Sequence, residues 1–323
     1  MRLIAPPRGL KLRQALFSPA MIKHFCLFFV FTIIINNIYP DEIDEYLNVA
    51  DIYINENRYL EAQASVLEAI KKKPDDARLY LYLGVIHYNL DNINTSLKYF
   101  SQAIEKDAAY AEAYAKRGYV YFALKDDEKA LVNYNLAIHY APENDLYYAE
   151  RAMVHAFMGN FTNAHSDYNK AIEINPLDPE NFHQRGIFFF GMRRFEDALN
   201  DYNEAIRLNK DNINFFNSRG AAYLALGKHK EALDDLNNAV QLDNNNFDAC
   251  FGRGLVYVVM KKYNEAMADF TAAIMINPNS KKAYQNRAII YQQLAKMTDN
   301  QMQKNDYLQK AREDSKIAER LNN

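Results

Sequence analysis

Chemistry needs groups of the right type at the right spacing, and this 323-residue chain offers few such places. Two cysteines, Cys26 and Cys250, are too few for a disulfide framework or a Cys-based zinc site. No His-x-x-x-His pair and no His/Cys cluster has metal-ligand spacing. The stretch from Asp243 to Asp248 begins like a calcium loop, but Phe247 and Asp248 fall where a ligand and the tight-turn glycine should be. No Gly-rich phosphate loop and no Gly-x-Ser-x-Gly elbow occurs. Asn94 and Asn160 open glycosylation sequons by letter, in an Asn-rich chain where such triplets arise by chance. One pattern remains. Arg117, Arg151, Arg185, Arg219, Arg253 and Arg287 recur every 34 residues. Asp167, Asp201, Asp235 and Asp269 follow four of them at a constant distance, and Asp314 follows Arg287 further on. Val49 and Leu83, which replace the arginine earlier in the chain, are accompanied by Ser65 and Tyr99, and Arg117 by Asn133. A row of arginines could bind anions. Letters that travel together point instead to ion pairs that hold two elements in register.

The elements that must position those pairs follow from the same period. Counted from Ile43, Ala77, Ala111, Asp145, Pro179, Ile213, Phe247 and Lys281, the fourth position is aromatic except at Cys250. The eighth is Gly or Ala, the eleventh Tyr, His or Phe, the twentieth Ala or Ser, and the twenty-seventh Ala. Pro74, Pro142, Pro176 and Pro278 share the thirty-second. Positions 4, 7, 8 and 11 lie on one face of a helix, and 20, 24 and 27 on one face of a second. Small residues let the two backbones approach, bulky rings fill the space beside them, and the proline closes the second helix. More than half of the 24 tyrosines occupy positions 4, 11 or 24, so the aromatic load is packing and implies no cofactor. His87 and His155, at position 11, read as core-edge histidines. A helical hairpin of this kind cannot bury its apolar face alone and must stack on its neighbours. The expected units are 43–76, 77–110, 111–144, 145–178, 179–212, 213–246, 247–280 and 281–323. The last carries an insertion between Lys296 and Asp306, either a longer helix pair or a loop.

This pattern resembles the tetratricopeptide repeat, with Tyr, Phe or Cys in place of the usual tryptophan at position 4. The resemblance implies an all-α, right-handed superhelical solenoid whose first helices line a concave, partner-binding groove. The inward positions of that family correspond to Tyr82, Val85 and Tyr88; to Lys116, Tyr119 and Phe122; and to Met153 and Phe157. Further along they correspond to His183, Ile187 and Phe190, and to Phe251, Leu255 and Val258. Some members grip a C-terminal carboxylate with an inward lysine at position 5. That position holds no lysine here, so such a clamp is not expected.

Residues 1–40 stand apart from the array. Arg2, Arg8, Lys11, Arg13 and Lys23 precede the apolar run Phe25 to Ile35, a positive flank that orients the following chain out of the cytoplasm. The run is short for a membrane span, no small-residue cleavage site follows it, and Cys26 stands too early for lipidation. A signal peptide, an uncleaved anchor and a cytoplasmic protein all stay open. Met21 offers a more usual start than Met1. A net charge of −3, with no basic run after the leader, argues against nucleic acid. Nothing outside the repeats is large enough for a catalytic domain. The sequence therefore reads as a non-catalytic scaffold for a protein or peptide partner, exported to the periplasm or cell envelope, with no cofactor or metal. The alternative is a docking or regulatory subunit of an enzyme or secretion complex.

Overall fold

In a computed structural model of the protein, residues 42–321 are described. The leader expected at residues 1–40, with Cys26, lies outside them. The described residues form sixteen helices and no strand. The described residues divide into two compact units, one ending at Asn175 and the other beginning at Pro176. The first holds α1 (Glu42–Asn55), α2 (Tyr59–Lys72), α3 (Ala77–Asn89), α4 (Ile93–Lys106), α5 (Ala111–Ala123), α6 (Asp127–Tyr140), α7 (Asp145–Phe157) and α8 (Phe161–Ile174). The second holds α9 (Pro179–Gly191), α10 (Phe195–Leu208), α11 (Ile213–Ala225), α12 (His229–Leu242), α13 (Phe247–Val259), α14 (Tyr263–Ile276), α15 (Lys281–Met297) and α16 (Gln301–Arg320).

Each odd-numbered helix packs along the even-numbered helix that follows it, and within a unit the second helix packs on the next first helix. The alanines at positions 20 and 27, such as Ala130, Ala137, Ala232 and Ala239, are fully buried in these seams. Position 8 is small because the ring at position 24 needs its space. A Cβ on Gly186 would lie 2.5 Å from Tyr202 Cε1, and one on Gly254 would lie 2.9 Å from Phe270 Cε1. Within each unit, first helices of successive repeats also touch one another, as α3 touches α5 and α11 touches α13. The first helices thus form a continuous wall in each unit.

Local chemistry sets the helix ends. Asp76, Asn144, Asp178, Asn212, Asn246 and Ser280, all at position 34, accept a backbone N–H of the first helix they precede. Tyr110 holds the same place before α5 and makes no such cap. First helices end in a left-handed residue at position 15: Asn57, Asp91, Lys125, Gly159, Arg193, Gly227 and Lys261. Arg193 has φ 61°, and the Arg194 amide reaches back to Phe189 O at 2.9 Å, the six-to-one bond of a Schellman ending. A side chain with Cβ is strained there. Arg193→Gly should therefore stabilise the fold by about 0.5–1 kcal/mol in urea unfolding. A loss of stability would mean that the Arg193 side chain itself contributes.

The insertion lengthens both helices of the last hairpin and leaves a short turn at Thr298–Asn300. Asn300 caps α16, accepting from Met302 N and Gln303 N.

Candidate functional site

The arginine row forms a ladder within the wall. Arg151 donates from Nε and Nη2 to the two carboxylate oxygens of Asp167, both at 2.7 Å. Arg185 meets Asp201, Arg219 meets Asp235 and Arg253 meets Asp269 in the same two-pronged way. Arg287 reaches Asp314 at 2.8 Å despite the insertion. Each pair joins the two helices of one hairpin, as the co-occurring letters imply. The third nitrogen reaches further. Arg151 Nη1 donates to Asn135, Arg219 to Asn203, Arg253 to Asn237, Arg117 to Ser101 and Arg287 to Thr271. Those acceptors stand at position 25 of the preceding repeat, so one guanidinium ties three helices together. The short polar residue recurring at position 25 was the signal for this contact. At Arg151, Arg219, Arg253 and Arg287 the Nε, Nη1 and Nη2 atoms are all engaged, which argues against an anion-binding row.

The inward residues fall into two classes. Val85 and Tyr88 on α3, Lys116 and Tyr119 on α5, and Met153 and Phe157 on α7 are half-buried. Tyr88 meets Tyr119 edge-on, with ring centres 5.6 Å apart. Ile187 and Phe190 on α9, and Phe251, Leu255 and Val258 on α13, are half-buried in the second unit, where Phe251 stacks on Phe247 at 5.6 Å.

Three residues expected on the open groove are core instead. Phe122 is fully buried and tilts against the Phe157 ring at 5.1 Å. Tyr82 is only 8% exposed, and its hydroxyl donates to Asp51 Oδ2 at 2.9 Å. His183 is 6% exposed, 2.9 Å from Ser218 Oγ and between the Tyr202 and Phe215 rings. All three are covered because neighbouring first helices stand close enough for an inward side chain to bridge them. His87 and His155 are half-buried beside the core, and burial lowers the pKa of both.

The first unit's wall also holds acids among its apolar inward residues. Asp51 on α1, Glu112 on α5 and Glu150 on α7 occupy positions 9, 2 and 6. Burial pushes the Asp51 carboxyl up to about 6, against the opposing hydrogen bond from Tyr82. Burial also raises Glu112, which Lys116 partly offsets. Glu150 is pushed up to about 7 by burial, again with Lys116 opposing and Glu112 adding to the rise. The Glu112 charge also acts on Tyr82, Tyr110 and Tyr147, so these groups share one neighbourhood. Among the described residues, no three His, Cys, Asp or Glu side chains converge closely enough to hold a metal ion. None of the described helices is long and apolar enough to cross a membrane.

Stacked helical hairpins of constant period, with the first helices walled side by side, define a helical repeat protein. Tetratricopeptide-repeat profiles match residues 47–93, 111–144, 146–176 and 247–280, and a TPR-repeat profile matches 194–227 and 220–260. These stretches together span more than half of the chain, and the protein belongs to the tetratricopeptide repeat family, a fold that is generally a non-catalytic interaction scaffold. Solved structures agree on the fold. A tetratricopeptide repeat protein from Parabacteroides merdae is 18% identical, with TM-score 0.59, over 77% of this chain and 98% of that one. A chain of the APC/C hetero-tetramer Cut9–Hcn1 is 18% identical with TM-score 0.59, over 87% of this chain and 59% of its own length. Yeast Tom70 is 17% identical with TM-score 0.54, over 88% of this chain and 66% of its own. No curated protein sequence matches the chain.

Proposed function

We propose that the protein is a non-catalytic scaffold that binds an extended segment or helix of a partner protein along its first helices, in the cell envelope. The observation that carries this reading is the continuous wall of first helices, on which aromatic and apolar side chains keep part of their surface in water. Tyr88, Tyr119 and Met153 do so in the first unit, and Ile187, Phe251 and Leu255 in the second. Partly open apolar surface along a row of helices is what a partner's helix or strand would cover. The basic flank and apolar run within residues 1–35 support the envelope placement.

Capture of a partner from the envelope fraction tests both parts. Tyr88→Ala and Ile187→Ala should each weaken capture by about 1 kcal/mol or more while leaving the melting temperature nearly unchanged. Phe122→Ala should instead destabilise the fold by about 3–5 kcal/mol. Groove variants that melt early yet capture normally would make the wall core and move the binding surface elsewhere. Recovery of protein and partner in the cytosolic fraction would overturn the placement.

A further inference from the structure

At each joint inside a unit, a second helix is covered by the first helix that follows it. Its position 25 reaches position 7 of that helix, as Asn203 reaches Arg219. Positions 21, 24 and 28 are apolar there: Leu199 and Tyr202 on α10 are buried, and Ile206 packs with Phe216 of α11. Two faces of this kind meet no further repeat among the described residues. One is the outer face of α16, where positions 21, 24, 25 and 28 are Arg312, Ser315, Lys316 and Glu319. The other is the outer face of α1 and α2, where position 7 is Val49, 38% exposed.

The two faces differ in charge. On α16, Lys304, Leu308, Arg312 and Lys316 follow one another at intervals of four and form a single stripe. With Lys296 of α15 they line an open depression of about 560 Å³ whose floor includes the buried Ala295 and Ala311. None of these four cations forms an ion pair with another described residue, and Glu319 is the one acid among the lining residues. Like charges four apart on a helix repel, so Arg312 and Lys316 gain nothing locally from their spacing. Between α1 and α2 lies a second depression, of about 570 Å³. Glu42 and Glu45 edge it on α1 and Glu61 and Glu68 on α2, with Tyr46 and Val49 between. Lys72, the one base lining it, is held by Glu42. Glu61 and Glu68 hold Arg58 and Lys71 in exposed pairs, which are weak and exchange partners readily.

Whole hairpins repeat the contrast. The stretch 42–72 holds seven acids and three bases, and 281–320 holds five acids and nine bases. In the six hairpins between them, acids lead by at most two and bases by at most one. A terminal repeat needs a polar outer face to stay in solution, and a face of either sign or of mixed sign would serve that need. Opposite signs on the two ends serve an added purpose: they make the ends complementary to each other.

We propose that the occupant of each end face is the opposite end of a second copy of this chain, so that copies join head to tail. The interior register then continues across the joint. Lys316 at position 25 comes against Val49 at position 7, where Glu45 and Glu68 line the same depression, and Lys304 and Arg312 extend the contact along α16. Such a contact is heterologous and leaves a free end of each sign, so it propagates into a chain of copies or closes into a ring.

Sedimentation of the full-length protein over a range of concentrations tests it, together with carbodiimide coupling between isotope-labelled and unlabelled copies. The mass should grow with concentration at low salt and return to the monomer near 1 M salt, where screening reaches about 3 Å. Coupling should join Lys304 or Lys316 of one copy to Glu45 or Glu68 of another. The Lys304→Glu, Arg312→Glu, Lys316→Glu triple variant and the Glu45→Lys, Glu68→Lys double variant should each self-associate about tenfold or more weakly. All five side chains are exposed, so the melting temperature should hold. Mixed together, the two variants should associate again, because each retains the face that the other lacks. The coupling needs no variant, so it decides the question even if one misfolds. A monomer under all conditions, coupling confined to single copies, or association that survives either set of reversals in a folded variant would overturn the proposal.

Discussion

Replacing Glu150 by glutamine should stabilise the protein by about 2–3 kcal/mol above neutral pH and by almost nothing at acid pH. The sign follows from proton binding. Burial lifts the Glu150 carboxyl from its ordinary 4.5 to about 7, so the native state binds this proton more tightly than the unfolded chain does. Glu150 therefore costs nothing below its ordinary value. The cost grows as pH rises through 4.5 towards 7 and stays constant above. One unit of such a shift corresponds to about 1.4 kcal/mol, which sets the upper end of the gain; the glutamine amide, still buried, gives some of it back. Urea unfolding in acetate and in a mildly alkaline buffer checks it. An equal effect in both buffers would mean that the carboxyl titrates normally, and the buried-acid description of α7 would fail.

The sequence made the frame legible because the frame is periodic. The 34-residue phase places the helix pairs, the small residues at positions 8, 20 and 27, and the Arg–Asp partners, and the structure puts Arg219 on Asp235 as their co-occurrence implies. The acidic neighbourhood is not periodic. Asp51, Glu112 and Glu150 sit at three different positions of three different repeats, and a register-by-register comparison treats each as an ordinary polar substitution. Which inward residues stay open was also not legible. Tyr82 and His183 look like ligand-facing side chains by position, yet the helix beside each supplies Asp51 and Ser218 as partners and closes over them. Burial there depends on how closely consecutive first helices approach, a distance that repeat periodicity does not encode. The third arm of the ladder did leave a periodic trace, the short polar residue at position 25, but Asn203 has a partner only once α10 is laid beside α11.

That third arm governs what loss of a ladder arginine should do. Arg219 holds both oxygens of Asp235 at 2.8 and 2.6 Å and the Asn203 side chain at 2.8 Å, and thereby links α10, α11 and α12. The Asp235 side chain is 5% exposed and that of Arg219 19%. Burial raises the Asp235 carboxyl against the bonded guanidinium, whereas the carboxylate raises Arg219 against its own desolvation, and a buried pair of this kind adds little net stability. Breaking it is another matter. Arg219→Ala should cost about 3–4 kcal/mol at neutral pH, because it leaves Asp235 in the core with no counter-charge and frees Asn203 as well. Asp235→Ala should cost less, since Arg219 keeps Asn203 and enough exposure to turn towards water. The double alanine variant should cost less than the sum of the two, and a Met–Leu pair in their place should come close to the original stability. Acidification should relieve Arg219→Ala selectively, because the stranded carboxyl can then take up a proton. Equal costs for the two single changes that simply add, with no dependence on pH, would show that the two side chains act independently. Because stacked repeats draw their cooperativity from the contacts between neighbours, Arg219→Ala should also flatten the unfolding transition of its unit more than Asp235→Ala, which leaves the link from α10 to α11 in place.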